Sequence, residues 1–231
     1  LTLKNWTRSR KRDDMKAKTR ENNPIKFTNA RSSLPFPAYR KIAELMLVKE
    51  QSPFLFCMFV LQWNMISRAA NVAGLMFNLI NWNNDHLTIV HSHTKKDQSG
   101  DNCFELAIMA NRYDPFMCPV TALAIYLSCT EYGAGANMVF PGEIAGKRYG
   151  PALRKFLQRT DVSEEIKQYA QLLLGSHSTR KGATNAGAQG ALVAGVLMAV
   201  LLRGQWDIGD TLKRYFKEHQ AGDALVARIV A

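Results

Sequence analysis

Apolar residues along most of the chain recur three and four positions apart, which is the spacing of one face of an α-helix. The segment Phe54–Met65 (FLFCMFVLQWNM) is hydrophobic nearly all round, so it predicts a buried helix with Pro53 in its first turn. The run Ala191–Leu202 predicts a second buried helix. Helical spacing also covers Ala38–Val48, Ser67–Phe77, Pro119–Leu127, Pro151–Gln158, Glu164–Leu174, Thr179–Gly187 and Thr211–His219, and a last apolar segment is Ala224–Val230.

The period changes to two in the middle of the chain. His86–His93 alternates and is rich in β-branched residues, and Phe104–Met109 reads as a second strand. The polar residues 94–102, with Gly100, predict a long hairpin tip between them. The pattern therefore predicts a mainly α fold with a small antiparallel β-sheet.

Charge divides the chain into two regions. The 231 residues carry a formal net charge of +11, and residues 1–31 hold 10 of the 30 Lys and Arg against 3 of the 19 Asp and Glu. We expect residues 1–31 to be a basic arm or linker and residues 32–231 to form one large domain. A surplus of this size favours a polyanionic partner, nucleic acid above all, although a solvated basic face remains the alternative.

The basic arm has two further interpretations. Its cluster of Arg8, Arg10, Lys11 and Arg12 is suited to contacting DNA phosphates or to serving as a nuclear localisation signal. A solvated tail is an equally good explanation. The sequence begins with Leu1, so we expect it to be a fragment of a longer protein.

Composition excludes other classes. The 47% hydrophobic content excludes disorder throughout, and the longest apolar run is shorter than the roughly 17–25 residues of a membrane span. The four cysteines form no C-x-x-C pair, so we expect buried, reduced thiols in an intracellular protein. His86, His91 and His93 alternate on a strand without nearby cysteines, so no metal site and no cofactor are expected.

Several residues with chemical potential have ordinary structural explanations when taken singly. Arg68 suits a salt bridge and Lys95 a solvated turn. His177 and Arg180 share one face of a helix, and His177 is equally suited to capping that helix. Trp206 suits a core and Tyr215 an amphipathic surface.

Taken together and in this order, these six residues resemble the catalytic set of the tyrosine recombinases. The resemblance covers Ser32 to Ala231: an Arg at a helix start, a Lys on a β-hairpin, the string His177-Ser178-Thr179-Arg180, then Trp206 and, nine positions on, Tyr215. Local strings are most similar to Crypton-type recombinases of eukaryotic mobile elements. Many members carry an acidic residue three positions after the first Arg, where this chain has Asn71. The strings that are similar to Crypton-type recombinases are Trp63-Asn64-Met65-Ile66-Ser67-Arg68, Lys95-Lys96-Asp97-Gln98-Ser99-Gly100-Asp101, Cys118-Pro119-Val120, Val139-Phe140-Pro141-Gly142 and His177-Ser178-Thr179-Arg180-Lys181-Gly182-Ala183.

The resemblance implies a DNA phosphodiester as substrate and Tyr215 as the nucleophile. Arg68 and Arg180 would bind the non-bridging oxygens as bidentate forks, with further donors from His177 and the Trp206 indole. Lys95 would act as general acid toward the leaving 5′ oxygen. Strand alternation sends the adjacent Lys96 to the opposite face, where it would contact phosphate.

The function implied is that of a site-specific DNA recombinase or transposase working through a 3′-phosphotyrosyl intermediate, without metal or nucleotide. A tetramer on double-stranded DNA and a nuclear location go with this interpretation. Two alternatives stay open: a domesticated DNA-binding protein without catalysis, and a type IB topoisomerase.

Overall fold

A computed structural model describes residues 33–91, 104–142, 145–169, 174–189, 199–201, 203–204, 226–228 and 230. All of them belong to the larger of two units in the chain, residues 31–231. The basic arm and the predicted helix Thr211–His219 lie outside the described residues.

Seven complete helices and three strands follow one another in the described segments between residues 33 and 189. Helix α1 runs on into a π-helical turn, Met46–Glu50, and a 3₁₀ turn, Phe77–Leu79, precedes the first strand. The elements are α1 Phe36–Leu45, α2 Pro53–Asn64, α3 Ala69–Ala73, β1 Ile80–Asn83, β2 His86–His91, β3 Phe104–Met109, α4 Pro119–Ser128, α5 Ala145–Leu157, α6 Thr160–Lys167 and α7 Ser176–Gln189.

Helix α2 is the centre of the core. Its side chains from Leu55 to Asn64 are all buried, and it packs against α1, α4, α5 and α7. Ser52 begins the helix by accepting a hydrogen bond from the backbone N–H of Leu55 at 3.3 Å. Near the other end, the Trp63 ring stacks on Tyr39 of α1 with the ring centroids 4.0 Å apart. The predicted buried helix is therefore confirmed.

The strands form one antiparallel sheet in the order β1-β2-β3. Ile89 of β2 stands opposite Leu106 of β3, and both are buried, so this face of the hairpin joins the core. Strand β1 was not predicted, because its Asn-rich sequence, INWN, is mostly exposed and lacks an apolar alternation. The predicted fold class, mainly helical with a small antiparallel sheet, is confirmed.

The helical segment predicted over Ser67–Phe77 is wrong after Ala73. Helix α3 ends there, and the next residues form a bridge between Met76 and Met138 instead. The backbone N–H of Phe77 donates to Asn137 O at 2.8 Å, and that of Val139 donates to Leu75 O at 2.9 Å. These bonds satisfy main-chain groups that a longer helix would have used internally.

Two predicted helix starts are also wrong. Helix α5 begins at Ala145, so Pro151 lies inside the helix rather than at its start, and α6 begins at Thr160 rather than Glu164. In α5 a continuous buried stripe that includes Tyr149 and Leu153 outweighs the proline, which removes one backbone donor.

One cysteine departs from expectation. Cys57 and Cys118 are buried free thiols, and burial raises the pKa of the Cys57 thiol well above its usual range. Cys129 is exposed, because it follows the last residue of α4 at a helix end that faces solvent.

We predict that Gly182→Ala lowers the free energy of unfolding by about 1–3 kcal/mol or more, the cost of overpacking a core. A Cβ at Gly182 of α7 would overlap the carbonyl oxygen of Leu34 and lie 2.8 Å from Cζ3 of Trp63. Gly150→Ala, where a Cβ meets nothing within 4 Å, is the helical control. Urea unfolding of both variants checks this, and equal midpoints would contradict the close approach.

Candidate active site

Arg68 is positioned by a sharp turn at the end of α2. It is the N-cap residue of α3, as the resemblance implied, and it is half-buried. Within the turn Ile66 takes a left-handed φ of 51°, a conformation that β-branched residues rarely adopt, while its side chain is fully buried. The Ser67 hydroxyl closes the turn by donating to Met65 O at 3.1 Å. Arg68 thus follows a constrained piece of backbone.

Helix α7 carries the other two described candidates in its first turns. His177 is its second residue and is exposed, whereas Arg180, one turn further, is 9% exposed. The Arg180 guanidinium donates through Nη2 to the carbonyl oxygen of Gly204. This bond ties the helix of Arg180 to the chain segment that continues toward Trp206.

Burial and the charge of Arg68 both act on the Arg180 guanidinium. The pKa of Arg180 is lowered to about 10, first by burial and then by the positive charge of Arg68. Among the described residues Arg68 forms no ion pair. Arg180 remains charged at neutral pH, since its pKa still lies well above 7. Two cations held near each other make a suitable site for an oxyanion.

Gln62 is a residue that the sequence analysis missed. Its side-chain amide nitrogen donates to Ser67 O at 3.3 Å and to Ser176 O at 2.8 Å, and its amide oxygen accepts from the Tyr149 hydroxyl at 2.9 Å. Burial raises the pKa of the Tyr149 hydroxyl. The available signal was an amide side chain in the last turn of a largely apolar helix, a signal that Asn64 also gives.

Arg203 is a second residue that was missed. It is 1% exposed and donates through Nε and Nη2 to Asn64 O, at 3.2 and 2.9 Å, and through Nη2 to Ala107 O at 2.7 Å. It therefore connects the end of α2, strand β3 and the helical residues near 200. Its only signal was a single arginine directly after the apolar run Ala191–Leu202.

Helix α5 presents a basic face. It contains no acidic residue, and four of its cations are exposed. Arg148 packs over the Phe54 ring, 4.7 Å from its centroid. Among the residues that the structure describes, none of the four forms an ion pair. The beginning of α5 packs against α3, the helix that Arg68 precedes. A Cβ on Gly146 of α5 would lie only 3.4 Å from the Cβ of Ala73 in α3. The four residues are Lys147, Arg148, Arg154 and Lys155.

The remaining predicted site residues lie outside the described residues: Lys95, Lys96, Trp206, Tyr215 and the arm residues Arg8, Arg10, Lys11 and Arg12. Their roles stay predictions. In the described part of the chain, no group of His, Cys, Asp and Glu is arranged to hold a metal ion. No helix there is long and apolar enough to cross a membrane.

No protein-family model and no curated protein matches the chain. Solved structures do match. The chain is similar to FLP recombinase in a Holliday junction complex, with 12% identity and a TM-score of 0.55, and to Flpe in a Holliday junction complex, with 16% and 0.54. Both matches cover 95% of this chain and 55% of the other.

A third similar structure is the XerH site-specific recombinase bound to its difH substrate, with 13% identity and a TM-score of 0.53. It covers 84% of this chain and 52% of that one, so the chain spans about half the length of each solved recombinase. The three-stranded sheet and the surrounding helices correspond to this architecture. The described residues therefore have the catalytic-domain fold of the tyrosine recombinases.

Proposed function

We propose that this chain is the catalytic domain of a site-specific DNA recombinase or transposase, which cleaves and rejoins DNA through a 3′-phosphotyrosyl intermediate. The observation that carries the proposal is the recombinase fold, in which one side chain, Gln62, hydrogen-bonds both to Ser67 O, just before Arg68, and to Ser176 O, in the first turn of the helix of Arg180. Two guanidinium groups suit the two non-bridging oxygens of one phosphodiester. His177 lies one turn before Arg180 and is exposed, so it is our candidate for a further contact to that phosphate.

The proposed reaction needs no external energy source. The Tyr215 oxygen attacks phosphorus and forms a new P–O bond while its proton passes to His177. The bond from phosphorus to the 5′ oxygen breaks, and Lys95 gives that oxygen a proton. Arg68, Arg180 and the Trp206 indole stabilise the charge on the non-bridging oxygens. Ligation by a 5′ hydroxyl reverses each step.

The finer identity rests on sequence strings. The segments around Arg68, Lys95 and His177 support a Crypton-type recombinase, and with it a nuclear location and assembly as a tetramer on double-stranded DNA. FLP and Flpe are solved as Holliday junction complexes, which supports a DNA duplex as the partner of this chain too. A topoisomerase and a non-catalytic DNA-binding protein are the outcomes that the following experiments separate.

We predict that Tyr215→Phe abolishes covalent attachment to a nicked suicide DNA substrate and leaves DNA affinity nearly unchanged. The hydroxyl is the nucleophile, whereas affinity depends on many phosphate contacts. Denaturing gels measure the adduct, and filter binding measures affinity.

Tyr113→Phe is the matched control for this substitution, since Tyr113 is 82% exposed. An adduct formed by the Tyr215 variant at the wild-type rate would refute the assignment. A wild-type protein that binds DNA without an adduct would favour the domesticated alternative. Relaxation of supercoils without Holliday junctions would favour a topoisomerase.

We predict that Arg68→Gln slows DNA cleavage about 10²–10³-fold without lowering the free energy of unfolding. Removing this charge relieves one of the two causes that lower the pKa of Arg180. Inorganic sulfate should raise the thermal midpoint of the wild type more than that of the variant, because a ligand stabilises the state that binds it.

Sodium chloride at equal ionic strength controls for screening in this measurement. Arg112→Gln is the control variant, because Arg112 is exposed and lies over the Tyr113 ring, 4.7 Å from its centroid. Equal stabilisation by sulfate in wild type and Arg68→Gln would show that the two arginines do not form an anion site.

We predict that the triple variant Lys147→Gln, Arg154→Gln and Lys155→Gln binds duplex DNA more weakly and with a shallower salt dependence. Each phosphate contact that is lost reduces the log–log slope by about 0.9. Lys167→Gln on α6 is the control, because Lys167 is an exposed cation that pairs with Glu164. An unchanged slope in the triple variant would place the DNA on another face.

A further inference from the structure

We propose that Gln62 and Tyr149 are positioning residues that set the spacing between Arg68 and Arg180 and so prepare the phosphate site. This inference rests on the proposed function. Neither side chain reaches the site itself through any described contact. Gln62 acts on the backbone next to the candidate catalytic residues, and Tyr149 acts through Gln62.

Gln62 connects the two site-bearing segments directly. Its amide nitrogen donates to Ser67 O and to Ser176 O, the residues immediately before Arg68 and His177. The backbone carbonyl of Gln62 also accepts from Ser67 N–H at 3.3 Å, so Ser67 is held twice. With Tyr149 on its oxygen, the amide uses both donors and an acceptor, which leaves it a single orientation.

Tyr149 fixes the orientation of the Gln62 amide. Its hydroxyl donates to the Gln62 amide oxygen at 2.9 Å, and its side chain is fully buried in α5. Because the amide oxygen accepts from Tyr149, the amide nitrogen is directed to Ser67 O and Ser176 O. Tyr149 thus acts on the site-bearing segments through Gln62.

Gln62 and Tyr149 are both uncharged, and this property suits them to a position beside a cationic site. Arg68 and Arg180 repel each other, so their approach must be maintained by other groups in the absence of a phosphate. A buried carboxylate would hold them by neutralising the site and would compete with the substrate. An uncharged amide and an uncharged phenol fix the backbone and leave the positive field intact for the anion.

The test compares Gln62→Met and Tyr149→Phe with wild type on nicked suicide substrates that carry either a phosphate or an uncharged methylphosphonate at the scissile position. A displacement of about 1 Å in a reacting site can slow the reaction about 10²-fold. On the phosphate substrate we therefore expect Gln62→Met to reduce the cleavage rate more than Tyr149→Phe does. The loss should shrink on methylphosphonate, where arginine placement matters less. Equal losses on both substrates would overturn the positioning role.

Asn64→Leu provides the matched control. Asn64 is also buried in the last turn of α2, but its amide donates to Val60 O and Met117 O, away from the site-bearing segments. It should lose stability without a difference between the two substrates. Tyr149→Phe retains the packed ring, so it decides the question if Gln62→Met fails to fold.

Calorimetric titration with inorganic sulfate separates this proposal from the function on which it rests. Gln62→Met and Tyr149→Phe should bind sulfate several-fold more weakly than wild type, and Asn64→Leu should bind it equally well. Equal affinity in all four proteins, or none in wild type, overturns the inference. A wild type that binds sulfate but cuts no DNA overturns the recombinase proposal alone, and the sulfate titration still decides the role of Gln62.

Discussion

The burial of helix α2 from Leu55 to Asn64 is the constraint from which the site geometry follows. A helix that is apolar on every face must be surrounded, and α1, α4, α5 and α7 surround it. Its two buried amide side chains, Gln62 and Asn64, both lie in the last turn, where a helix leaves carbonyl groups without internal partners. Neighbouring segments supply those contacts. The end of the core helix is therefore the place where the site-bearing turns meet.

The two arginines at this junction lower the stability of the folded protein, and the same charges would attract a phosphate. Bringing two positive charges together, one of them buried, disfavours the folded state, and the lowered pKa of Arg180 is the sign of that cost. A phosphate bound between them would replace this repulsion by a net attraction. Binding sites often oppose stability in this way, since what is unfavourable in the empty protein becomes an attraction for the ligand.

The sequence predicted the elements whose signals are local. The spacing in Phe54–Met65 identified α2, and the period of two identified β2 and β3. It also placed Arg68 at the beginning of a helix and put His177 and Arg180 in one helix. Strand β1 and the early start of α5 were not predictable, because an edge strand with exposed asparagines and a helix that contains Pro151 are both stabilised by tertiary packing.

The hydrogen bond between Gln62 and Tyr149 could not be predicted from the sequence for a related reason. The two positions are 87 residues apart, and only the packing of α5 on the end of α2 brings them together. Lone polar residues in apolar helices mark such junctions without revealing their partners. The proximity of Arg68 and Arg180 itself came from family resemblance, since nothing in local spacing joins positions so far apart.

The left-handed Ile66 couples the backbone before Arg68 to the packing of the core. Its backbone conformation costs roughly 1–2 kcal/mol for a residue with a Cβ, whereas full burial of an isoleucine side chain contributes about 1.5–3 kcal/mol. The turn is therefore unfavourable in an isolated peptide and becomes favourable only when the core receives the side chain. Arg68 follows this turn, so its orientation depends on the burial of Ile66 in the core.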